Sequence, residues 1–170
     1  MANKLIKKIV MQCPVCGKKH EVEEHSHKAT TIIKNEKVRY DENFYVCSEL
    51  IDDNEFETGE LVNRNIRNAQ NSYRKAHGLL TTDEIVEIRE CYGLTQVELA
   101  NLLGWGEATI SRYESKAIQD ESYDMMLRLI KDNPVYALQL LEKNSARFIQ
   151  ARKTEIRNNI VSKLNIYEIA

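Results

Sequence analysis

The apolar positions of this chain change period once, and the change divides it. Up to about residue 60 the pattern is that of strands and loops. Lys28 to Ile33 and Lys37 to Cys47 are rich in Thr, Ile, Val, Tyr and Phe, and Asn35 between them marks a turn, which predicts a β-hairpin. Residues 48–60, SELIDDNEFETGE, read as a loop. From about Glu60 the spacing becomes helical. Leu61, Ile66, Ala69 and Tyr73 make one apolar stripe as far as Ala76, and Gly78 ends it. Thr81 and Glu84 form a capping box for the next helix, with Ile85, Ile88 and Tyr92 as its buried stripe and Gly93 as its stop. Thr95 and Glu98 open another, which runs to about Leu103, and Gly106 starts one that lasts to about Glu114. Asp120 caps a fourth, with Tyr123, Met126, Leu127 and Ile130 at helical spacing. Pro134 suits the first turn of a fifth, to about Lys143. Ser145 to Tyr167 is helical again, with Ile149, Ile156, Ile160 and Leu164 on one side. The fold class is α+β: a small β domain over 1–59, a linking helix over 60–78, a helical domain over 79–133 and a helical extension over 134–170.

Within the helical part, Gln96 to Ser115 (QVELANLLGWGEATISRYES) has the layout of a helix-turn-helix. Ala100 lets two helices approach closely. Gly104 turns the chain where a Cβ would cost energy. Ile110 roots the second helix among Leu99, Leu103 and Tyr113. Such a helix offers its outer face to a DNA major groove. Glu107, Ala108, Thr109, Ser111 and Arg112 are the residues expected to face base edges. Arg112 can pair in bidentate fashion with guanine O6 and N7, or else grip a phosphate or pair with Glu114. Glu107 could accept from cytosine N4, but a helix N-terminal charge is the preferred reading. Thr109 and Ser111 could reach phosphates or a thymine methyl, and Gln96 suits a phosphate. Trp105, in the turn, reads as packing. Such modules act on paired half-sites, so a homodimer is expected. Val135, Leu138 and Leu141 with Ile156, Ile160 and Leu164 are candidates for its surface, the alternative being that they complete the monomer's core.

Charge complicates the picture. The net charge is −2. Residues 1–20 carry +5, 21–60 carry −8, 61–80 carry +4, 81–133 carry −6 and 134–170 carry +3. The expected DNA-reading segment is therefore acidic, although phosphate contacts supply much of the affinity in most protein–DNA complexes. The objection is met if the acids lie on helix faces turned away from DNA and the flanking basic stretches touch phosphate. Arg64, Arg67, Arg74 and Lys75 are the candidates.

Cysteines add a second chemistry. Cys13-Pro-Val-Cys16-Gly17 is a metal-knuckle sequence, in which two thiolates two residues apart can share a tetrahedral zinc and the glycine permits the tight turn. Cys47 ends the expected hairpin. A four-thiol ribbon would place another cysteine at 50, where Leu50 stands, so His20, His25 or His27 must supply a fourth ligand, His20 being nearest. Structural zinc on Cys13, Cys16, Cys47 and His20, a degenerate ribbon without metal, and a redox CxxC remain open alternatives. Cys91 reads as a small buried apolar residue.

A CPxCG knuckle, a connecting helix and a C-terminal helix-turn-helix together resemble the MqsA-like antitoxins, also called YgiT-type zinc-finger regulators. The runs YRKAHGLL, EIVEIRECYGLTQVELANLLGWGEATISRYES and LRLIKDNP look like that family's Xre (Cro/CI-type) half, and SRYE, Ser111 to Glu114, is the most specific piece. The likeness is densest over 73–134, extends over 10–60 and is absent after about 145. It implies that Arg112 contacts bases, that the N-terminal zinc domain binds a toxin, and that the C-terminal half dimerises on operator DNA and represses its own operon. The alternative is a stand-alone phage or mobile-element regulator without a toxin. No apolar run of about 18 residues exists to span a membrane, and no cleavable leader is evident, so a cytoplasmic protein is expected. No Ser-His-Asp set, P-loop or dinucleotide motif suggests an enzyme.

Overall fold

The computed structural model describes residues 3–52, 54–115 and 117–167. The chain forms two compact units, Met1–Ala76 and His77–Ala170.

The first unit is an antiparallel sheet in the order β1-β2-β3-β4, with β1 at Lys4–Gln12, β2 at Lys19–Ile33, β3 at Glu36–Cys47 and β4 at Glu55–Phe56. Lys34 and Asn35 both have positive φ (48° and 67°), so a two-residue turn of the primed kind joins β2 to β3. That turn fixes the register from Ile33↔Glu36 to Val22↔Cys47. The hairpin anticipated from sequence is thus longer, reaching back to Lys19, because the period-2 pattern is blurred where both faces carry His and Glu. Helix α1, Gly59–Ala76, covers the outer edge of β3. Asn65 accepts from the Asn43 N–H at 2.9 Å and donates to its carbonyl at 2.7 Å, and Asn68 donates to the Asp41 carbonyl at 3.1 Å. The buried stripe of α1 is Leu61, Asn65, Ala69 and Tyr73; Ile66, expected in it, is 47% exposed. Since α1 is built onto the sheet, the boundary falls after Ala76 rather than near residues 58–62. The opposite edge, β1, is broken by an irregularity between Leu5 and Lys7 and carries Lys7 and Lys8 paired to Glu24, Glu21 and Glu23 of β2.

The second unit is helical: α2 Thr82–Cys91, α3 Gln96–Leu103, α4 Ala108–Tyr113, α5 Glu121–Asp132, α6 Pro134–Lys143 and α7 Gln150–Tyr167, with a short 3-10 turn at Ser145–Arg147. Both capping boxes form, Thr81 with Glu84 and Thr95 with Glu98. Asn133 caps α6 through the Tyr136 N–H, with Pro134 in its first turn. Asp120 holds the N-cap position of α5 but makes no side-chain cap bond. One core unites Leu80, Ile85, Ile88, Tyr92, Leu99, Leu102, Ile110, Leu127, Ile130, Leu141, Ile156 and Ile160. The surplus apolar positions of the extension, Leu141, Ile156 and Ile160, are therefore consumed inside the unit, while Val135 stays half exposed. Cys91 is exposed. The expectation that it is buried fails because the inward face of α2 is already filled by Ile85 and Ile88. Among the described residues no helix is long and apolar enough to cross a membrane.

Candidate metal centre and nucleic-acid interface

In the first unit, Cys13, Cys16, His20 and Cys47 come together, with their ligand atoms all within 4.8 Å of one another. The sequence builds this locally. After β1 the Cys13 N–H donates to the Lys18 carbonyl and the Gly17 N–H to the Cys13 carbonyl, and Gly17 takes φ +71°, which frees the turn to bring both thiols to one side. The hairpin register then sets Cys47, at the end of β3, across from the start of β2, where His20 stands. His20 Nε2 lies 3.3 Å from Cys16 Sγ and 3.5 Å from Cys47 Sγ. Tetrahedral zinc with ordinary bond lengths would set nitrogen and sulfur about 3.6 Å apart. His20 Nδ1 meets the Glu21 carbonyl at 2.7 Å. Donation from that nitrogen fixes the tautomer that turns the Nε2 lone pair toward the thiols, the usual outer support of a ligating histidine. Burial opposes ionisation of Cys13, but hydrogen bonds from the Cys16 and Val15 backbone and from His20 bring the thiol down to about 6. Burial pushes Cys47 up, and the neighbouring Cys13 raises His20. A cation at the centre would relieve the crowding of three sulfurs. The Cys3His set is a zinc-binding arrangement, and His20 rather than position 50 completes it. His25 and His27 lie apart from it, on Glu23 and Glu42 respectively, and Leu50 is 39% exposed.

In the second unit, α3 and α4 flank a turn in which Gly104 has φ +74°, a left-handed conformation suited to glycine. Ala100 and Ile110 are fully buried. Trp105 packs edge-on against Tyr123 at 4.7 Å and Tyr113 at 6.4 Å between ring centroids. Arg112 is exposed, reaches only the Ala108 carbonyl and forms no ion pair among the described residues. Its alternative partner, Glu114, is buried and engaged elsewhere. Arg89 Nε donates to Glu114 Oε1 at 2.7 Å and Gln96 Nε2 to Oε2 at 2.7 Å. This Arg89–Glu114–Gln96 network ties α2, α3 and α4 together. Sequence reasoning missed it, because partners 25 residues apart leave no local signal. Gln96 spends its amide there. Glu107 and Ala108 are exposed, while Thr109 and Ser111 are half-buried. Of the basic candidates on α1, Arg64 is paired to buried Glu24 at 2.5 Å and Arg74 is buried, whereas Arg67 and Lys75 are exposed.

A family profile described as the antitoxin component of a bacterial toxin-antitoxin system, MqsA, matches residues 11–143. No curated protein and no solved structure matches the chain.

Proposed function

Because the chain belongs to the MqsA family of antitoxins, we propose that it acts as a DNA-binding repressor of its own operon as well as the neutralising partner of a toxin. The observation that carries this reading is the state of α4: its inner side is rooted by Ile110, its Glu114 is held by Arg89 and Gln96, and Arg112 remains exposed and uncommitted. A guanidinium so presented suits the O6 and N7 edge of guanine. Ala108, Thr109 and Ser111 form the rest of the reading surface, and Glu107 serves the helix start. Arg67 and Lys75 are the α1 cations offered to phosphate. The protein works as a cytoplasmic homodimer on paired half-sites and is not an enzyme.

The zinc-binding unit is the toxin-facing part. The −8 charge over residues 21–60 suits a basic partner. Zinc there would set the knuckle against the hairpin and supply structure rather than reactivity.

Footprinting and fluorescence anisotropy on DNA upstream of the chain's own gene test the repressor reading. Arg112→Ala is expected to abolish discrimination between that DNA and a mixed-sequence duplex while leaving the thermal transition unchanged. Equal discrimination by the variant would overturn the assignment.

A further inference from the structure

The family match ends at residue 143, yet the chain continues into the helix-turn-helix. Asn144 donates to the Leu102 carbonyl at 2.9 Å, and Arg147 donates through one terminal nitrogen to the Trp105 carbonyl at 3.0 Å. The 3-10 turn between them is closed by the Phe148 N–H on the Ser145 carbonyl, and Phe148 packs on the core. The main chain is thus pinned against the α3–α4 turn on three sides. The Arg147 side chain lies along an open groove of about 430 Å³, whose other walls are Asn101, Gly104, Trp105, Gly106 and Glu107.

We propose that Arg147 is a DNA-phosphate contact, added to the helix-turn-helix by the segment that follows the family match. The proposal rests on the DNA-binding reading given above. Three observations support it. A guanidinium carries five N–H donors, and the Trp105 carbonyl accounts for one of Arg147's. The other arginines of this segment are neutralised, Arg152 by Glu98 and Arg157 by Glu142, whereas Arg147 is exposed and forms no ion pair among the described residues. Glu107, which begins α4, lines the same groove. A recognition helix that enters the major groove by its N-terminal end brings the preceding turn to the strand bordering that groove. A planar, permanently charged fork in that position matches phosphate oxygens. Glu107 shares the groove and opposes the same anion, so its charge and that of Arg147 act in opposite senses.

The test measures binding of the full chain to a mixed-sequence duplex by anisotropy, across about 50 to 200 mM salt. Arg147→Gln keeps a donor for the Trp105 carbonyl and removes the charge; Arg147→Lys keeps the charge. Losing one phosphate contact makes the slope of log K against log salt shallower by about 0.9. Arg147→Gln is expected to show that change and to weaken mixed-sequence and upstream DNA alike. Arg147→Lys should retain most of the slope, and Glu107→Gln should bind more tightly at every salt concentration. An unchanged slope in Arg147→Gln overturns the proposal. So does a change that comes with a shift in the Trp105 fluorescence transition, which would mark Arg147 as a purely structural tie. If the wild-type chain binds DNA and Arg112→Ala loses discrimination while Arg147→Gln is neutral, only this inference falls. If the wild-type chain binds no duplex, the DNA reading falls and takes this inference with it.

Discussion

Replacing Glu98 by Gln should destabilise the second unit by about 2 kcal/mol at neutral pH, and the loss should fade in acid. Arg152 of α7 grips both Glu98 oxygens, Nε to Oε1 at 2.7 Å and a terminal nitrogen to Oε2 at 3.0 Å, and the Thr95 N–H adds a third bond at 2.8 Å. The Arg152 hydrogen bonds are the largest cause that holds the Glu98 carboxyl down from an ordinary 4.5 to about 2; burial opposes them. A depression of that size corresponds to about 3 kcal/mol of coupling between ionisation and folding. Glutamine keeps an acceptor for the cap but not the charge, which leaves about 2 kcal/mol to be lost, or a fall in Tm of about 8–16 °C for a unit of this size. The sign follows from the direction of the shift. A carboxyl depressed on folding adds stability that is fully present above 4.5 and is lost as the pH falls toward about 2. Wild type and variant should therefore converge on acidification, with more than half of the gap closed by about pH 3. Trp105 is the sole tryptophan and lies in the second unit, so its fluorescence follows this transition without interference from the metal centre. Equal midpoints at pH 7, or a gap that persists undiminished at low pH, would refute the coupling.

Metal removal should act on the other unit alone. Chelation, or Cys47→Ser, is expected to unfold the sheet as seen by circular dichroism and to release one zinc per chain by mass spectrometry, with the Trp105 transition unmoved; a sheet indifferent to both treatments would mean that zinc does not hold it. Arg89→Ala strands the Glu114 carboxylate in the core of the helical unit, at a cost of about 3–5 kcal/mol in urea unfolding. A loss below about 1 kcal/mol would show that Gln96 alone satisfies Glu114.

What the sequence made legible was mostly local. Thr81 with Glu84 and Thr95 with Glu98 declare helix starts within four residues, and Gly104 declares the turn between α3 and α4 through a conformation that side chains resist. Cys13 and Cys16 are equally local. The fourth zinc ligand is not, because choosing His20 over His25 or His27 requires the register of β2 against β3, which the two-residue turn at Lys34–Asn35 sets fourteen residues away. The membership of α1 was hidden for a related reason. An amphipathic helix says that it must bury one side, not against what, and the deciding contact is an asparagine, a residue that hydrophobic patterning ignores. The role of the tail was ambiguous because Ile156 and Ile160 serve a core and a self-association surface equally well on paper. Closure of the core over them requires Gly93, which has φ +64°, and against which Asn159 sits so closely that a Cβ would come within 2.8 Å of its amide nitrogen.

The Asn65 side chain that pairs with Asn43 has one more effect. A strand border with unmet N–H and carbonyl groups is a template on which copies of a protein stack into fibres. Here one border is satisfied from within by a side-chain amide and a helix, and the other is guarded by lysines and a broken ladder. The sheet-bearing half is thereby kept finite in width, and so has no route to runaway growth while its own binding partner is scarce.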